Sequence, residues 1–355
     1  MRIGIDSRWM TGNYRGMGKF AHFLISSIRE DVTLLCQPGA SEGTAFGLPF
    51  YPAWEQLSLP RHVERNGYTH LICPYNTAPI TLSRKVKLVL VVHDLIFMEP
   101  LDRLPASSSA YQNLGRLYRR MVVPAACRRA DHIITVSEHS RDSIVRSFGV
   151  DASRMTVIPN CIPNRWITSA DTSPRTPYLL TVAGHAPSKN LRGLLKAFQA
   201  LIGKFDVPQD LRLDIAGVPP EGQTPFRALA DQLGIAGRIR WHDFLPEDAL
   251  LDLYDQCLGF VFPSFIEGFG IPLIEAMARG APIAASNTSV IPSVCGDAAV
   301  YFNPHDTNDI AGQLGAMIAD SQLRHGLGAS GRARAALFSE STVQKKAQDF
   351  WSQLR

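Results

Sequence analysis

Two glutamates flank a predicted helix start in the stretch 262–280, which reads FPSFIEGFGIPLIEAMARG. Pro272 is typical of a first helical turn, and Gly280 is typical of the residue after a last turn. The unpaired backbone N–H groups and the macrodipole at a helix start favour an anion such as phosphate. Glu267 and Glu275 are poor phosphate ligands, but their carboxylates accept hydrogen bonds from hydroxyls. The stretch therefore predicts a ligand that carries both phosphate and polyol groups, as a sugar nucleotide does.

Strands and helices that alternate along the whole chain are predicted to position these glutamates. Such alternation is typical of parallel sheets with helices on both faces. The strands are predicted at 2–6, 33–36, 70–73, 87–92, 132–136, 155–158, 178–182, 211–216, 238–242, in the run ending at Phe262, and at 282–286. The helices are predicted at 20–28, from Ser137 to Gly149, and at 191–205, 225–233, 247–257, 272–280, 306–318, 321–337 and 341–353.

The alternation stops once and then restarts, which predicts two domains. A chain of 355 residues is also longer than most single domains. Residues 166–177 are polar and contain proline, so we predict a linker there. The predicted domains are residues 1–165 and 178–337, followed by an amphipathic terminal segment, residues 338–355.

The composition indicates a globular protein and excludes several classes. Hydrophobic residues make up 45% of the chain and charged residues 19%, and the net charge of +4 is too small to predict nucleic-acid binding. The six cysteines are scattered without zinc-site spacing, which is typical of core residues in a reducing compartment. The N-terminus does not resemble a signal peptide, and no apolar run is long enough to span a bilayer. We therefore expect a cytoplasmic location.

The first predicted strand, residues 2–6, leads into a segment containing Gly12, Gly16 and Gly18 ahead of a predicted helix at 20–28. A strand, a glycine loop and a helix in this order let a phosphate approach the backbone. The spacing is not G-x-G-x-x-G, so a dinucleotide fingerprint is not indicated. A tight turn without a ligand role is an equal alternative.

The apolar run at 87–92 ends at His93 and Asp94, where a parallel sheet presents its ligand-binding edge. His93 is a candidate hydrogen-bond donor to a sugar hydroxyl or a carbonyl. Asp94 is predicted either to fix the tautomer of His93 or to cap the next turn.

Lys189 follows the first strand of the second predicted domain, in the sequence AGHAPSKNL. There its ammonium group would meet a diphosphate, although an unpaired surface lysine is the common alternative. The sequence contains no Asp-x-Asp triplet, which disfavours a metal-bound diphosphate. We therefore expect no metal and no cofactor, with Lys189 and the backbone dipoles near 271–273 offsetting the negative charge.

The region 101–130 is the most basic part of the chain and is also amphipathic. Such a helix is typical of a solvated face, of an anionic membrane surface or of a site for a pyrophosphate-bearing acceptor. Its arginines are Arg103, Arg116, Arg119, Arg120, Arg128 and Arg129.

Three stretches together resemble the family four glycosyltransferases: 262–280 with its EGFG loop, VHDL at 92–95, and VSEHSRDSIVRSFGVDASRMTVIPN at 136–160. The resemblance extends over nearly the whole chain. It implies two facing Rossmann-like, doubly wound domains (the GT-B fold) with a cleft between them, and a terminal segment, 338–355, that crosses back to the first domain. It also implies metal-independent transfer of a sugar with retention of anomeric configuration. Frequent acceptors in the family are lipid-linked, so peripheral contact with the inner membrane surface is a further expectation.

The resemblance also implies roles for individual residues. The catalytic set is His93, near the donor sugar, Lys189, on the diphosphate, and Glu267, on the sugar hydroxyls without acting as a nucleophile. Glu275 is expected to bind the ribose. The remaining expected donor-binding residues are Gly268, Phe269, Gly270 and Ile271 on the glutamate loop, Gly16 and Gly18 on the opposing wall, and Phe244 and Leu245 beside the nucleobase.

One departure from the family pattern lies next to Lys189. Family members usually carry an arginine where this chain has His185 or Ser188, so a second cation is missing or comes from elsewhere, with Arg15 and Lys19 as candidates. This absence makes a non-catalytic sugar-nucleotide-binding subunit an alternative, and a sugar-nucleotide epimerase is another because it has the same two-domain fold. The expected partners are a GDP-mannose-like or UDP-sugar donor and a glycan or polyprenyl-linked acceptor.

Overall fold

A computed structural model describes residues 1–10, 16–28, 30–39, 43–101, 104–105, 110–168 and 175–354. The chain forms two compact units. The first is Met1–Asn160 with Val343–Arg355, and the second is Cys161–Thr342. The first unit thus ends five residues before the predicted boundary at 165, and residues 161–168 belong to the second unit rather than to a linker.

The first unit is built on a seven-stranded, fully parallel sheet of order β3-β2-β1-β4-β5-β6-β7. Its central strands are unbroken apolar runs whose side chains are almost all buried, as expected where helices cover both faces of a sheet. Between β1 and β4 the direction of strand addition reverses. The strands are β1 (Ile3–Asp6), β2 (Val32–Cys36), β3 (Thr44–Ala45), β4 (His70–Cys73), β5 (Lys87–Val91), β6 (His132–Thr135) and β7 (Met155–Val157).

In the described part of residues 1–160, the α-helices that accompany this sheet are α1 (Gly16–Ser26), α2 (Tyr51–Ala53), α3 (Leu59–Arg65), α4 (Ala110–Arg129) and α5 (Glu138–Phe148). A π-helical segment, Trp54–Ser58, joins α2 to α3. The prediction for α5 is confirmed at both ends. The Ser137 hydroxyl accepts a hydrogen bond from the Ser140 N–H, and Gly149 ends the helix at φ 63°. The helical region between Tyr51 and Arg65 was not predicted.

The helix α1 corrects the prediction of a glycine loop before residue 20. It begins at Gly16, so Gly16 and Gly18 lie in its first turn and not in a loop. Gly18 is buried, which explains a glycine inside the helix better than a need for unusual backbone angles. Gly12 and Arg15 lie outside the described residues, whereas Lys19 is exposed on α1.

The second unit is built on a six-stranded parallel sheet of order β10-β9-β8-β11-β12-β13. Its strand order reverses between β8 and β11. The strands are β8 (Thr176–Val182), β9 (Arg212–Ala216), β10 (Ile239–His242), β11 (Cys257–Phe262), β12 (Ile283–Ser286) and β13 (Ala299–Phe302). The prediction omitted β13 and began β8 two residues late.

Most helices of the second unit lie close to their predicted positions: α6 (Leu191–Lys204), α7 (Pro220–Gln232), α8 (Glu247–Gln256), α9 (Ile271–Ala278), α10 (Ile291–Cys295), α11 (Thr307–Ala319) and α12 (Ser321–Ala335). The start of α7 was predicted wrongly. Pro220, not Pro225, is the first-turn proline of α7, and Pro225 lies inside the helix. The last helix, α13 (Glu340–Gln353), has its buried residues Phe350 and Trp351 in the first unit, where the Trp351 indole N–H donates to the Ser27 hydroxyl at 2.8 Å.

Within the described ranges, none of the helices combines the length and the hydropathy needed to cross a bilayer.

Candidate functional site

The loop between β11 and α9 is shaped by Gly270. This residue precedes the first helical residue and has φ 95°, a left-handed conformation that favours glycine. A Cβ atom added there would lie 2.8 Å from the Leu273 side chain. Pro272 occupies the first turn of α9, and Gly280, at φ 64°, follows its end, as predicted.

Lys189 and Glu267, which are 78 residues apart in sequence, form an ion pair in the second unit. The Lys189 Nζ donates to Glu267 Oε1 at 2.6 Å. The Lys189 side chain is 28% exposed and that of Glu267 is 8% exposed. A short 3-10 turn ends at Lys189, and Asn190 then adopts φ 53° before α6 begins. The structure thus brings two of the predicted site residues into direct contact while the lysine remains accessible to solvent.

Two hydroxyl residues after β12 fix the backbone of the glutamate loop. The Ser289 hydroxyl donates to the Glu267 carbonyl at 2.8 Å and accepts from the Glu267 N–H at 3.2 Å. The Thr288 hydroxyl donates to the Phe265 carbonyl at 2.9 Å. Ser289 has φ 58°, a conformation uncommon for residues other than glycine and typical of functional sites. The sequence analysis did not identify either residue.

Phe265 also links this loop to the lysine segment, since its N–H donates to the Ser188 carbonyl at 2.8 Å. Ser188, one of the two positions where the family usually has arginine, is buried. His185, the other such position, packs against the start of α7, where its ring would lie 3.1 Å from a Cβ added at Gly222. Neither residue replaces the charge of a second cation.

Glu275 lies on α9 and is buried beside Tyr254 of α8. The Tyr254 hydroxyl donates to Glu275 Oε2 at 2.9 Å, and Tyr254 is completely buried. Burial, followed by the nearby charge of Glu275, raises the pKa of Tyr254 well above its usual value, so the phenol stays protonated and acts as a donor. This contact orients one oxygen of the glutamate. Nothing in the spacing of the sequence indicated it.

Lys189, Glu267 and Glu275 all follow the carboxyl ends of β8 and β11, the two strands between which the strand order reverses. Ligands of open parallel sheets bind at this point. Phe244 and Leu245 follow β10, the edge strand, two strands away from β8, and the Phe244 side chain is 66% exposed. No three His, Cys, Asp or Glu side chains of the described ranges form a group that could hold a metal ion.

His93, in the first unit, follows β5 and is buried. Its Nε2 lies 3.0 Å from the Pro74 carbonyl oxygen, which can only accept, so Nε2 carries the proton. Burial lowers the pKa of His93 to about 4, and the ring is therefore neutral at pH 7. Its remaining nitrogen, Nδ1, is an acceptor. The neutral ring therefore has no further N–H for the donation that the sequence predicts, and its contact with a sugar stays a prediction.

The tautomer of His93 is fixed by Pro74 rather than by Asp94. The Asp94 carboxylate instead accepts from the Ile96 N–H at 3.0 Å, which caps the next turn. Of the two predicted roles for Asp94, the structure supports the capping role.

A buried charged cluster at the carboxyl ends of β1 and β4 was not predicted. Arg8 donates to Glu55 at 2.9 Å and to Thr77 at 2.9 Å, and its Nη1 lies 3.2 Å from Asp6. The Arg8 guanidinium also stacks 3.7 Å from the ring centre of Tyr51. Burial raises the pKa of Asp6 to about 6, although Arg8 partly offsets this effect. The residue that completes the cluster, Glu55, lies in the π-helical segment, a type of distortion frequent at functional sites.

The basic region forms α4, and two of its arginines bind backbone carbonyls. Arg116 and Arg120 each donate to the Phe97 and Glu99 carbonyls, so they hold the segment before the helix while remaining partly exposed. Arg103 lies outside the described residues. A different face of α4 exposes apolar side chains, namely Tyr111, Leu114, Leu117 and Met121.

These observations define a two-unit α/β protein with a lysine and two glutamates at the switch point of its second sheet. Two family descriptions match the chain: Glycosyltransferase Family 4 over residues 28–165 and Glycosyl transferases group 1 over residues 165–334. Together they span both units. The chain belongs to the family four glycosyltransferases, as the sequence predicted.

Relatives and solved structures agree with this assignment. The O-antigen chain mannosyltransferase B of Escherichia coli is 33% identical over 58% of this chain and 56% of the relative. The serotype-specific mannosyltransferase WbdA of Escherichia coli is 29% identical over 76% of this chain and 34% of the relative. The chain therefore matches between a third and about half of the length of these relatives. Anabaena Alr3699/HepE, solved in complex with UDP-glucose, superimposes with a TM-score of 0.75 at 16% identity, covering 99% of this chain and all of that one. The predicted fold class, two Rossmann-like parallel sheets, is confirmed.

Proposed function

We propose that this protein transfers a hexose or deoxyhexose from a nucleotide-diphosphate sugar to a glycan or polyprenyl-linked acceptor during surface polysaccharide synthesis. The observation that carries the proposal is the Lys189–Glu267 ion pair beside the glycine-started helix that bears Glu275. The names of the two matched relatives, both mannosyltransferases, favour a GDP-mannose-like donor. The UDP-glucose complex of the structural neighbour supports a UDP-sugar as the alternative donor.

A bound donor would contact both members of the Lys189–Glu267 ion pair, each through a different part of the donor. The ammonium group of Lys189 suits the diphosphate, and the carboxylate of Glu267 suits the sugar hydroxyls. Glu275, held by Tyr254, suits the vicinal hydroxyls of the ribose. Because Lys189 is 28% exposed, it can leave its partner at little desolvation cost.

In the reaction, the bond between the anomeric carbon and the diphosphate oxygen breaks while a bond to the acceptor oxygen forms on the same face. The proton of the acceptor hydroxyl passes to an oxygen of the leaving diphosphate, and the anomeric configuration is retained. Lys189 and the first-turn N–H groups of α9 stabilise the growing charge without a metal. His93 accepts a hydrogen bond through Nδ1 from a donor-sugar hydroxyl.

The test measures sugar transfer and donor binding together. Thermal midpoints against UDP-, GDP-, ADP- and dTDP-sugars identify the donor, because a ligand of the folded state raises stability by mass action. With that donor, Lys189→Ala is expected to lower the transfer rate by about 10² to 10³-fold, the usual effect of losing one transition-state donor. Lys196→Ala on α6, an exposed lysine, is the matched control and should leave the rate unchanged.

Two outcomes would contradict the proposal. A donor consumed without any acceptor would indicate the epimerase. Donor binding with no transfer to any lipid extract would indicate a non-catalytic binding subunit, which is the reading that the missing arginine at His185 and Ser188 favours.

We further propose that the protein is cytoplasmic and binds a polyprenyl-linked acceptor at the inner face of the membrane. The exposed apolar face of α4 supports it. Leu114→Glu together with Leu117→Glu should abolish cosedimentation with anionic vesicles, and unchanged cosedimentation would exclude this face. Charge reversal at Arg116 or Arg120 is a poor test, because both side chains hold backbone carbonyls.

A further inference from the structure

A basic pocket lies in the second unit near the amino ends of its strands, whereas Lys189 and Glu267 follow the carboxyl ends. It has a volume of about 150 Å³. Arg175 immediately precedes β8, and Leu258 is the second residue of β11, so the pocket lies near the amino ends of these strands. The residues that line it around Leu258 are Arg175, Gly280, Arg324, His325, Gly328 and Arg332.

The described residues that line the pocket concentrate positive charge. None of these lining residues is Asp or Glu, and none of the three arginines forms an ion pair with another residue of the described ranges. By contrast, Arg279 nearby in the sequence is paired with Asp255. Burial and then the charge of Arg175 lower the pKa of Arg324, which Asp320 partly offsets. The like charges therefore repel one another across the pocket.

Two of the three arginines also have structural contacts. Arg175 donates to the Cys257 carbonyl at 3.0 Å and to the Gly280 carbonyl at 2.7 Å. Arg324 donates to the Met317 carbonyl at 2.9 Å, near the end of α11. These bonds fix the direction of both guanidinium groups, but they provide no negative charge beyond the carbonyl dipoles.

Arg332, the third arginine, has no such structural contacts among the described residues. Its guanidinium lies against Gly280, where an added Cβ would be 2.0 Å from Nη1, and near Gly328, where the distance would be 3.7 Å. Glycine at both positions gives the guanidinium room to enter the pocket. Among the described residues, Arg332 makes no hydrogen bond and no ion pair. A half-buried guanidinium without a partner, placed beside two others, is costly unless an anion joins them.

We propose that this pocket is a binding site for a phosphate group, either free or as a small monoester. Guanidinium groups match phosphate oxygens through paired N–H donors, and three of them suit a dianion. A cavity volume of about 150 Å³ is well above what a single water molecule needs and is enough for a phosphate group. The site is separate from the proposed donor-binding residues and does not depend on the proposed transfer reaction.

A second arginine group, beside β10, provides a matched control. It contains Arg212, Arg227, Arg238 and Arg240. Arg212 is paired with the buried Asp214 at 2.9 Å, and Arg227 stacks 5.2 Å from the ring centre of Trp241. This group is therefore partly neutralised, and Arg240→Met removes a surface charge of the same kind from a different place.

The experiment titrates the full chain with inorganic phosphate, and with glycerol 3-phosphate for the ester, by calorimetry at constant ionic strength. We expect saturable binding of phosphate. Arg332→Met should weaken it by about tenfold or more, as expected for the loss of a hydrogen bond between charged groups. Arg332→Lys should recover part of the affinity. Arg240→Met should bind phosphate as the unmodified protein does.

The thermal midpoint of Arg332→Met without phosphate is a second measurement. If Arg332 had only a structural role, the substitution would lower this midpoint. Because Arg332→Met removes a repelled charge, its thermal midpoint in phosphate-free buffer should be equal to or above that of the unmodified protein. If Arg332→Met does not fold, Arg332→Gln replaces it and should also weaken binding.

Several results would overturn the proposal. Phosphate binding that does not saturate, or that is unchanged in Arg332→Met or its replacement Arg332→Gln, excludes this pocket. Binding lost in Lys189→Ala but kept in Arg332→Met places the anion at the donor-binding residues instead. Loss in Arg240→Met alone places it beside β10.

Discussion

Both sheets carry charged side chains beyond their carboxyl ends, but the two groups differ in solvent access. In the first unit, the Arg8 side chain is 1% exposed and that of Glu55 is 0% exposed. In the second unit, the Lys189 side chain is 28% exposed and that of its partner Glu267 is 8% exposed. We call the Arg8–Glu55 group closed, because water reaches neither side chain, and the Lys189–Glu267 group open, because water reaches the lysine.

This difference separates a charge used in folding from a charge available to a ligand. Glu55 accepts hydrogen bonds from Tyr51, Thr77 and Tyr118 as well as from Arg8, so its acceptor capacity is used within the first unit. Such a buried pair is costly to break, because the remaining charge has no water to solvate it. Lys189 retains contact with water and can exchange partners. Position at the sheet edge alone therefore does not identify a binding residue.

The largest expected effect tests the closed group. Arg8→Met should lower the free energy of unfolding by about 3 to 5 kcal/mol, since it leaves Glu55 and Asp6 buried without their cation. Urea unfolding of the full chain measures the loss. The double variant Arg8→Met, Glu55→Gln should recover a large part, because it removes one buried negative charge and keeps the acceptor oxygen. A double variant no more stable than the single one would show that packing, and not charge, sets the cost.

The next largest effect is the pH dependence of stability that His93 of the first unit contributes. The pKa of His93 is about 4 in the folded protein and about 6.5 when unfolded. The folded state holds fewer protons between these values, so His93 contributes stability that is complete above pH 6.5 and is lost on acidification towards pH 4. The contribution is on the order of 3 kcal/mol. His93→Gln removes it, and the stability difference from the unmodified protein should change across this window.

Asp6 acts with the opposite sign in the same pH range. Its pKa is raised to about 6, so its contribution is complete below the unfolded value near 3.9 and is lost as the pH rises through 6. Asp6→Asn is therefore the control for His93→Gln, and the two variants should shift the pH profile in opposite directions. Parallel profiles for all three proteins would contradict the assigned pKa directions.

A smaller effect sharpens the assignment of the open group. Tyr254→Phe removes the hydroxyl that donates to Glu275 and keeps the ring. We therefore expect the free energy of unfolding to fall by about 1 kcal/mol. Because Glu275 then loses its orientation, the KM for the donor should rise several-fold with little change in kcat. A lower kcat with an unchanged KM would show that Glu275 does not bind the donor ground state.

A similarly small effect is expected on the stability of the open pair itself. Lys189→Ala should lower the free energy of unfolding by only about 1 kcal/mol, because the lysine end of the pair is exposed to water even though Glu267 is buried. The measurement is the same urea unfolding used for Arg8→Met. A loss as large as that of Arg8→Met would remove the distinction between the two groups.

The sequence was most informative where a local signal is sufficient. Apolar runs predicted most strands to within two residues, and the cap residues Ser137 and Gly149 predicted both ends of α5. The EGFG stretch and its following helix pointed to Glu267, Glu275 and the family. These signals depend on neighbouring residues, and so they can be read without the fold.

Contacts between distant segments could not be predicted in this way. The pairing of Arg8 with Glu55 depends on a π-helical segment that no apolar period marks, and the contact of Tyr254 with Glu275 depends on how α8 packs beside α9. The basic region shows the same limit. Its composition indicated a solvated or lipid-facing surface, but not that Arg116 and Arg120 donate to carbonyls of an adjoining segment.

Ser289 has a consequence for protein engineering. Its hydroxyl holds both backbone polar groups of Glu267, and Thr288 holds Phe265, although both hydroxyls come from a segment about 20 residues further along the chain. A chimaera that imports only residues 263–270 from a homologue would combine a foreign loop with a native clamp. The exchangeable module is therefore discontinuous, and a donor-specificity swap should transfer residues 288–289 together with the loop.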